Sequence, residues 1–329
     1  MKRILLTTTS LVLAAGVAQA DITFSGSTGV ALIDDNGASV YVEAVTGAQG
    51  VGAAADTAPV AGVDRSTRDD MFFESYYDFN ITASAESDNG VSVSVGFDMG
   101  AGNMIDYNDD DKLEAQGNSV GDADVTVGYA GWTLAVDQAG IDNLFDDDYG
   151  SQDYSVSGSV AGISVAVTGD QEGSTSSYKV SGAVAGVSLT ATGTDVTAAG
   201  GKASKIAASY AMGNGLTLKG SMQDEAGTAE DDNTIGLSYV MGDITVGYTT
   251  IRPGSTGSYG DEWDFSAAYA AGAVSASFAI DEADATTIIV DYDLGGGVTA
   301  FAAMHDKPAP TGGAVTDNDL VAMGLNFAF

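Results

Sequence analysis

The chain has 329 residues, with 46 acidic and 11 basic side chains for a formal charge of −35, one histidine and no cysteine. Such a charge repels nucleic acid and anionic membrane surfaces, which excludes a nucleic-acid-binding role. The lack of cysteine excludes disulfides, thiolate metal sites and cysteine nucleophiles, and one histidine excludes any site built on two.

Residues 1–20 have the features of a secretion signal. Lys2 and Arg3 precede an apolar stretch over 4–17, and Ala18-Gln19-Ala20 provides a small-residue cleavage site. That stretch is too short for a spanning helix, and no later stretch reaches the roughly 20 apolar residues that one needs. We therefore expect an exported mature chain of residues 21–329 that forms a single domain without transmembrane helices.

The mature chain is dominated by an alternation of apolar and small polar residues, which is the period of a β-strand. The segment 91–97 alternates without an error, and so do 163–168, 187–192 and 244–248. Strands are predicted at approximately 22–33, 72–85, 91–100, 122–130, 132–138, 152–160, 163–170, 177–184, 187–194, 203–212, 216–224, 232–241, 244–251, 261–270, 273–281, 286–294, 298–306 and 317–329.

The breaks between the predicted strands alternate in length. Short breaks such as 88–90, 161–162 and 213–215 contain glycine and suit tight hairpin turns. Breaks such as 101–121 and 139–151 are long, and are acidic or rich in glycine and serine. Short turns on one side and long loops on the other are typical of bacterial outer-membrane barrels. The sequence thus predicts an all-β, antiparallel, up-and-down transmembrane β-barrel with short periplasmic turns and long outer loops.

Tyrosines recur at a fixed distance from the short turns. Tyr210, Tyr239, Tyr269 and Tyr292 each stand three residues before the turn glycine. Amphipathic rings favour the headgroup level of a bilayer, so this repetition predicts an aromatic girdle. A simple preference of tyrosine for strand ends would account for one or two of these tyrosines, but it does not account for the same spacing in the whole set.

A soluble β-sandwich would also alternate along its strands. Here, however, the polar faces consist mostly of Ser, Thr, Gly and Asp, with few of the Lys and Glu that coat soluble strands. No predicted strand has two apolar faces, so nothing is available to fill the interior of a barrel of this size with side chains. The interior of the barrel is therefore expected to hold water.

The two ends of the chain carry more specific motifs. The first strand begins Ile-Thr-Phe-Ser-Gly-Ser over 22–27, the stretch 292–297 reads Tyr-Asp-Leu-Gly-Gly-Gly, and 324–329 reads Gly-Leu-Asn-Phe-Ala-Phe. These motifs resemble the general diffusion porins of Gram-negative outer membranes, in particular the alphaproteobacterial type. Those porins typically have 16 strands, whereas the strands predicted above number 18. The expected number of strands is therefore 16–18.

The resemblance implies a water-filled channel for the passive diffusion of small hydrophilic solutes and ions. It also implies an integral position in outer-membrane lipid and assembly as a homotrimer, a state that small outward-facing residues on several strands also favour. The alternating last strand, with Phe327 and the terminal Phe329, is similar to the signal that the outer-membrane insertion machinery reads in this family.

A constriction is the further implication of the resemblance. In these porins the third long loop folds into the barrel, where its acidic residues face basic residues on the opposite wall. The counterpart by position is 139–151, which Leu144 and Phe145 could pin to the inner wall. Its predicted pore-lining residues are Asp142, Asp146, Asp147 and Asp148.

Strand alternation predicts which other charged side chains face the lumen. Three are lysines: Lys179, Lys205 and Lys219. Seven are carboxylates: Glu74, Asp78, Asp98, Asp137, Asp264, Asp291 and Asp293. The arginine cluster usual in the family does not occur within the predicted strands. Because carboxylates outnumber lysines, we expect a pore that prefers cations.

No constellation indicates catalysis. His305-Asp306 is an isolated pair, and the histidine is expected to be exposed at a strand end. The segment 106–111 lacks the glycine of an EF-hand calcium loop. We expect no enzymatic activity, no cofactor and no metal site beyond a calcium ion loosely bound at the acidic loops. The alternative class is a secreted or surface-attached β-rich adhesin or structural protein.

Overall fold

The computed structural model describes residues 20–34, 71–105, 113–115, 124–146, 151–171, 175–195, 201–225, 232–252, 260, 262–306 and 320–329. The predicted secretion signal lies outside these residues, apart from Ala20. No helix within the described ranges is long and apolar enough to cross a membrane.

The described residues form nineteen strands. Their bounds are β1 Ala20–Asp34, β2 Phe72–Glu86, β3 Ser92–Ile105, β4 Leu113–Ala115, β5 Asp124–Tyr129, β6 Trp132–Ile141, β7 Gln152–Val160, β8 Ile163–Gly169, β9 Ser176–Val184, β10 Val187–Thr194, β11 Ala203–Ala211, β12 Leu216–Glu225, β13 Asp232–Met241, β14 Ile244–Arg252, β15 Glu262–Ala271, β16 Val274–Asp281, β17 Thr286–Gly295, β18 Val298–Asp306 and β19 Leu320–Ala328.

Eighteen of these strands form one closed antiparallel barrel in which each pairs with its neighbours in sequence. The exception is β4, a three-residue strand that pairs with the end of β3 beyond the stretch of β3 that pairs with β5. The eighteen predicted strands are thus confirmed, at the upper end of the expected range. The short β4 was not predicted, because three residues are too few to show a period.

The barrel closes where the first and last strands meet. β1 pairs with β2 on one side and with β19 on the other. The β1–β19 register runs from Ser27 opposite Ala328 to Asp34 opposite Val321. Gly26 and Phe329 extend it by exchanging two backbone hydrogen bonds of 3.1 Å. Every strand of the barrel therefore has a partner on both edges.

Alternation along the strands separates an apolar outer wall from a polar inner wall. On β6 and β7, Leu134 lies opposite Val156 and Val136 lies opposite Tyr154, and all four side chains are exposed. Between them Ala135 points to the other face. Exposed large apolar side chains of this kind occur all around the barrel. So large an apolar surface is unfavourable in water, whereas lipid would bury it.

The four tyrosines singled out in the sequence lie at one level of the outer wall. They stand on β11, β13, β15 and β17, near the ends that lead into short turns, and each is 39–49% exposed. This arrangement is the aromatic girdle that their spacing predicts.

Three short turns share one geometry. Ala130, Ala161 and Ala185 have φ of 52–53°, and the glycine that follows each has φ of 80–83°. Two successive residues with positive φ match the right-handed twist of the flanking strands. The first position is one that L-residues other than Asn and Asp seldom adopt, so these turns keep alanine at a small energetic cost.

Several glycines make room for an aromatic ring from the neighbouring strand. A Cβ atom at Gly193 would lie 2.7 Å from two ring carbons and the hydroxyl oxygen of Tyr178, and one at Gly158 would lie 2.5 Å from the Trp132 ring. The ring covers the gap that the glycine leaves in the outer wall. These glycines are therefore part of the packing of the outer surface.

The register assigns Val180 to the outer wall near the middle of β9 and Ser181 to the inner wall. A charged residue on the lipid face at mid-depth costs about 2–4 kcal/mol. We expect Val180→Arg to lower the yield of folded barrel in lipid vesicles strongly and Ser181→Arg to leave it nearly unchanged. The measurement is the heat-modifiable shift of the folded band on gels. Equal loss in both variants would contradict the register.

Candidate functional site in the barrel lumen

The three predicted lysines share one arc of the inner wall. Lys179 on β9 lies opposite Thr192 on β10, which lies opposite Lys205 on β11. Neighbouring strands are about 4.8 Å apart, so the backbones of these two lysines are roughly 10 Å apart. Lys219 on β12 lies opposite Ser209. All three stand on the face away from the exposed apolar side chains.

The seven predicted carboxylates lie on the inner face of two other arcs. Glu74, Asp78, Asp98 and Asp137 belong to β2, β3 and β6, whereas Asp264, Asp291 and Asp293 belong to β15 and β17. The structure adds Asp124, Asp232, Glu262 and Asp281, which share the inner face of their strands. All four stand at strand ends, where alternation gives the weakest signal. Most inward carboxylates thus lie on other arcs than the lysines; the exception is Asp232 on β13, which lies opposite Gln223, the residue opposite Lys205.

A recess of about 440 Å³ brings part of the acidic wall together. Asp98, Asp124 and Asp137 line it from three strands, together with Asn80 and Gln138. Within the described part of the chain, no group of three or more acidic or histidine side chains is placed to hold a metal ion. The segment 106–111, considered above for calcium, lies outside the described residues.

The connection between β6 and β7 is shorter than predicted. β6 continues to Ile141 through an irregularity after Val136, and Ile141 lies opposite Gln152. The connection therefore covers 142–151 instead of 139–151. Alternation stops at the irregularity, which is why the sequence places the end of the strand too early. Asp142 and Asp146 lie in the described part of the connection, and Asp147 and Asp148 lie outside it.

The first part of this connection is bound to the inner wall. The Leu144 backbone N–H donates a 2.8 Å hydrogen bond to Ser177 Oγ on β9. Asn143 Nδ2 donates a 2.8 Å hydrogen bond to Thr194 Oγ1 on β10, and Asn143 Oδ1 accepts one from the Phe145 N–H. The segment 142–146 thus lies inside the barrel and is held there by polar contacts.

A buried polar cluster supports these contacts from behind. Ser177 Oγ donates to Gln152 Oε1 at 3.0 Å, and the Thr168 hydroxyl contacts both Ser177 Oγ and Gln152 Oε1. Gln152, Thr168 and Ser177 are each at most 2% exposed. We call Asn143, Gln152, Thr168, Ser177 and Thr194 the polar clamp. Sequence reasoning missed it, since alternation assigns serine and threonine to the inner face without showing what covers them.

The polar clamp lies beside the row of lysines. Ser177 is two residues from Lys179 along β9, and Thr194 is two residues from Thr192 along β10. The resemblance implied that the basic residues would stand on the wall opposite the loop. In the structure Lys179 and Lys205 stand on the wall to which the segment 142–146 is bound.

The opposite side of the lumen, around the β1–β19 seam, has a different character. Six buried apolar side chains line its inner face: Ala31, Ile33, Phe72, Phe301, Leu320 and Ala322. His305 on β18 belongs to the same face, with Nδ1 2.9 Å from Thr287 Oγ1. It is only 7% exposed, so the expectation of an exposed histidine was wrong. Its position at a strand end did not reveal the neighbouring inward side chains that bury it.

A closed barrel with an apolar exterior and a polar interior defines a transmembrane β-barrel protein. The family model of the Gram-negative porins matches residues 7–307, and the chain belongs to this family. It is an integral outer-membrane protein that forms a diffusion channel. No curated protein matches the sequence.

Solved porin structures have the same fold. A triple mutant of the Rhodopseudomonas blastica porin is 18% identical, with a TM-score of 0.52, and the match covers 94% of this chain and 100% of that one. Pseudomonas aeruginosa OpdL is 9% identical with a TM-score of 0.59, covering 94% and 98%. Acinetobacter baumannii OccAB2 is 8% identical with a TM-score of 0.58, again covering 94% and 98%.

The polar clamp predicts a local exchange behaviour. Ser177→Ala removes the acceptor of the Leu144 N–H, and a hydrogen bond of this kind contributes about 0.5–1.5 kcal/mol. We expect the Leu144 amide to exchange with deuterium about 2- to 13-fold faster in this variant. Ser181→Ala, on the same face of β9 but away from the segment, should leave the rate unchanged. An unaltered Leu144 rate in Ser177→Ala would show that the segment is held by other contacts.

Proposed function

We propose that this porin is a cation-preferring, homotrimeric diffusion channel whose narrowest part is formed by the connection 142–151, after removal of residues 1–20. The observation that carries the proposal is the position of the segment 142–146, which is hydrogen-bonded to the inner wall through Leu144 and Asn143. A segment inside the wall reduces the cross-section at its own level. It also brings Asp142 and Asp146 into the space through which solutes pass.

Cation preference is supported by the balance of fixed charge in the lumen. The seven predicted inward carboxylates, together with Asp124, Asp232, Glu262 and Asp281, outnumber the three inward lysines. Charged rings attract counter-ions and repel co-ions. Fixed charge acts over about 10 Å at 0.1 M salt, so the preference should be strong in dilute salt and fade in concentrated salt.

A homotrimer is supported by the flatness of part of the outer wall. Gly182 lies opposite Leu189, which lies opposite Ala208, which in turn lies opposite Gly220. Three of these four residues, Gly182, Ala208 and Gly220, have small or no side chains at one depth, which allows close approach of a second copy around the single Leu189. Like the secretion signal, this assembly remains a proposal that rests on the sequence and on the resemblance to porins.

Recognition of the last strand by the insertion machinery is supported by the aromatic side chains at the seam. The rings of Phe327 and Phe329 stack at 5.6 Å, and Phe79 lies 6.2 Å from Phe329. These rings project from the outer wall, where a partner in the membrane can reach them. The backbone of Phe329 at the same time completes the closure with Gly26.

Selectivity tests the proposed site. The reversal potential across a KCl gradient in planar bilayers should show cation preference for the native channel. Replacing Asp146→Asn and Asp147→Asn together should weaken it, because two fixed charges are lost from the narrowest level. Asp224→Asn, on the outer face of β12, is the matched control and should leave the potential unchanged. Anion preference in the native channel would refute the proposal.

Deletion of residues 142–148 tests the contribution of this segment to the width of the pore, whereas the aspartate replacements test the contribution of its charge. The deletion should raise single-channel conductance, whereas the double aspartate variant should leave the width nearly as it was. If the deletion leaves conductance unchanged in a correctly folded barrel, another segment forms the narrowest part.

A further inference from the structure

We infer that the inner wall of β10–β14 carries a binding subsite for small oxyanions, formed by Lys205 and Lys219 over a floor of hydroxyl groups. The inference rests on the proposed channel, since it requires that solutes pass along this wall. It is independent of the overall ion preference, which the whole lumen sets. The ligand class comprises phosphate, sulfate and carboxylate groups, whether free or carried by a small solute.

The subsite is a recess of about 320 Å³ in the wall. Lys205 and Lys219 line it, and small side chains form the floor. The hydroxyl groups come from Ser188, Thr190, Ser209, Ser221, Thr234 and Thr249. The lining includes no carboxylate. A solute in the recess would therefore meet hydrogen-bond donors and positive charge, without an acidic group to repel an anion.

The shape of the recess follows from the residues opposite Lys219. Gly236 on β13 faces Lys219 and has no side chain, and a Cβ atom there would lie 3.5 Å from Lys219 Cβ. The stem of Lys219 thus lies beside a gap in the wall. Ser209 on the other flank is short as well. The wall is set back here, because bulky side chains would fill the space that a solute needs.

The ammonium groups of Lys205 and Lys219 have hydrogen-bond donors that no described residue uses. Neither Lys205 nor Lys219 makes a hydrogen bond or an ion pair with any residue that the structure describes. Each ammonium group has three donors and no acceptor. In a chain with 46 acidic residues, two lysines without an acidic partner among the described residues are unexpected on the basis of charge alone. An oxyanion supplies the missing acceptors through charge-assisted hydrogen bonds.

The two lysines can reach one solute together. Lys205 lies opposite Gln223, four residues from Lys219 along β12. The two backbones are therefore about 13 Å apart along the strand and one strand apart across it. Their flexible four-carbon stems can converge on a solute between them. The stagger along the pore also allows an anion to pass from one ammonium group to the other.

The acidic recess on the far arc of the lumen favours the accumulation of anions at this wall. The recess lined by Asp98, Asp124 and Asp137 has the opposite charge and lies on another arc. Anions are repelled there and attracted to the lysines, because a low-dielectric wall focuses the field of its fixed charges. The lumen therefore offers separate places to cations and to anions.

Inorganic phosphate is the first probe. In planar bilayers at constant potassium concentration, added phosphate should interrupt the single-channel current reversibly, with a half-blocking concentration that can be measured. Replacing Lys205→Gln and Lys219→Gln together should raise that concentration about tenfold or more, since hydrogen bonds to charged groups are lost. Sulfate and acetate, added in the same way, establish which oxyanions the subsite accepts.

The matched control is Lys179→Gln, which removes an inward lysine that does not line the recess. It should change the half-blocking concentration by less than about threefold, because this lysine lies outside the recess and acts on a bound anion only as a screened charge. Lys205→Arg with Lys219→Arg should retain the block. Folding of every variant is checked by its heat-modifiable mobility.

The outcomes separate this inference from the proposed function. A native channel that conducts but is not blocked by phosphate, sulfate or acetate would overturn the subsite alone. An equal effect of Lys179→Gln and of the Lys205 and Lys219 pair would also overturn it, because the recess would then have no special role. A native protein that forms no conducting channel would overturn the proposed function itself.

Discussion

Backbone hydrogen bonding in lipid is the constraint on which the rest of this structure depends. The hydrocarbon core provides no partner for an N–H or C=O group, so a strand that crosses it must be paired along both edges. An open sheet of eighteen strands would leave two edges unpaired. The pairing of β1 with β19 removes them, and Gly26 with Phe329 extends this pairing to the last residue of the chain. An even number of strands follows for a chain whose two ends lie on the same side.

Closure of the barrel also determines which kinds of side chain each face of the sheet can carry. The outer face meets lipid and carries the apolar residues, with aromatic rings lying over glycines such as Gly158 and Gly193. The inner face encloses more space than its own side chains can fill at this strand number. That space admits water and also a segment of the chain, which the polar clamp binds to the wall. The interior is thus shaped by polar contacts between short side chains.

The sequence predicts the barrel well because period-two alternation is a strong signal repeated eighteen times. It also predicts the face of the charged residues within the strands, since inward and outward positions follow from the apolar neighbours of each, but it misses inward carboxylates at strand ends such as Asp124 and Asp281. It does not predict contacts between remote strands. The burial and the hydrogen bonds of Ser177 in the polar clamp and of His305 are set by residues on other parts of the chain. The sequence around each of the two positions looks like that of any other residue on the inner face. The irregularity in β6 was missed because alternation fails there. The strand β4 was missed because three residues are too few to show alternation.

A disulfide at the seam tests closure most directly. Gly26 and Phe329 form a hydrogen-bonded pair, so Ser27 and Ala328 form the adjacent non-hydrogen-bonded pair, with Cα atoms about 4.5 Å apart. That spacing suits a disulfide, and the chain has no cysteine of its own to compete. In the membrane-inserted protein, Ser27→Cys with Ala328→Cys should oxidise fully and leave no free thiol. Ser27→Cys with Phe327→Cys, where the second side chain points to lipid, should not. Free thiols in the first variant, or a cross-link in the second, would contradict the closed barrel.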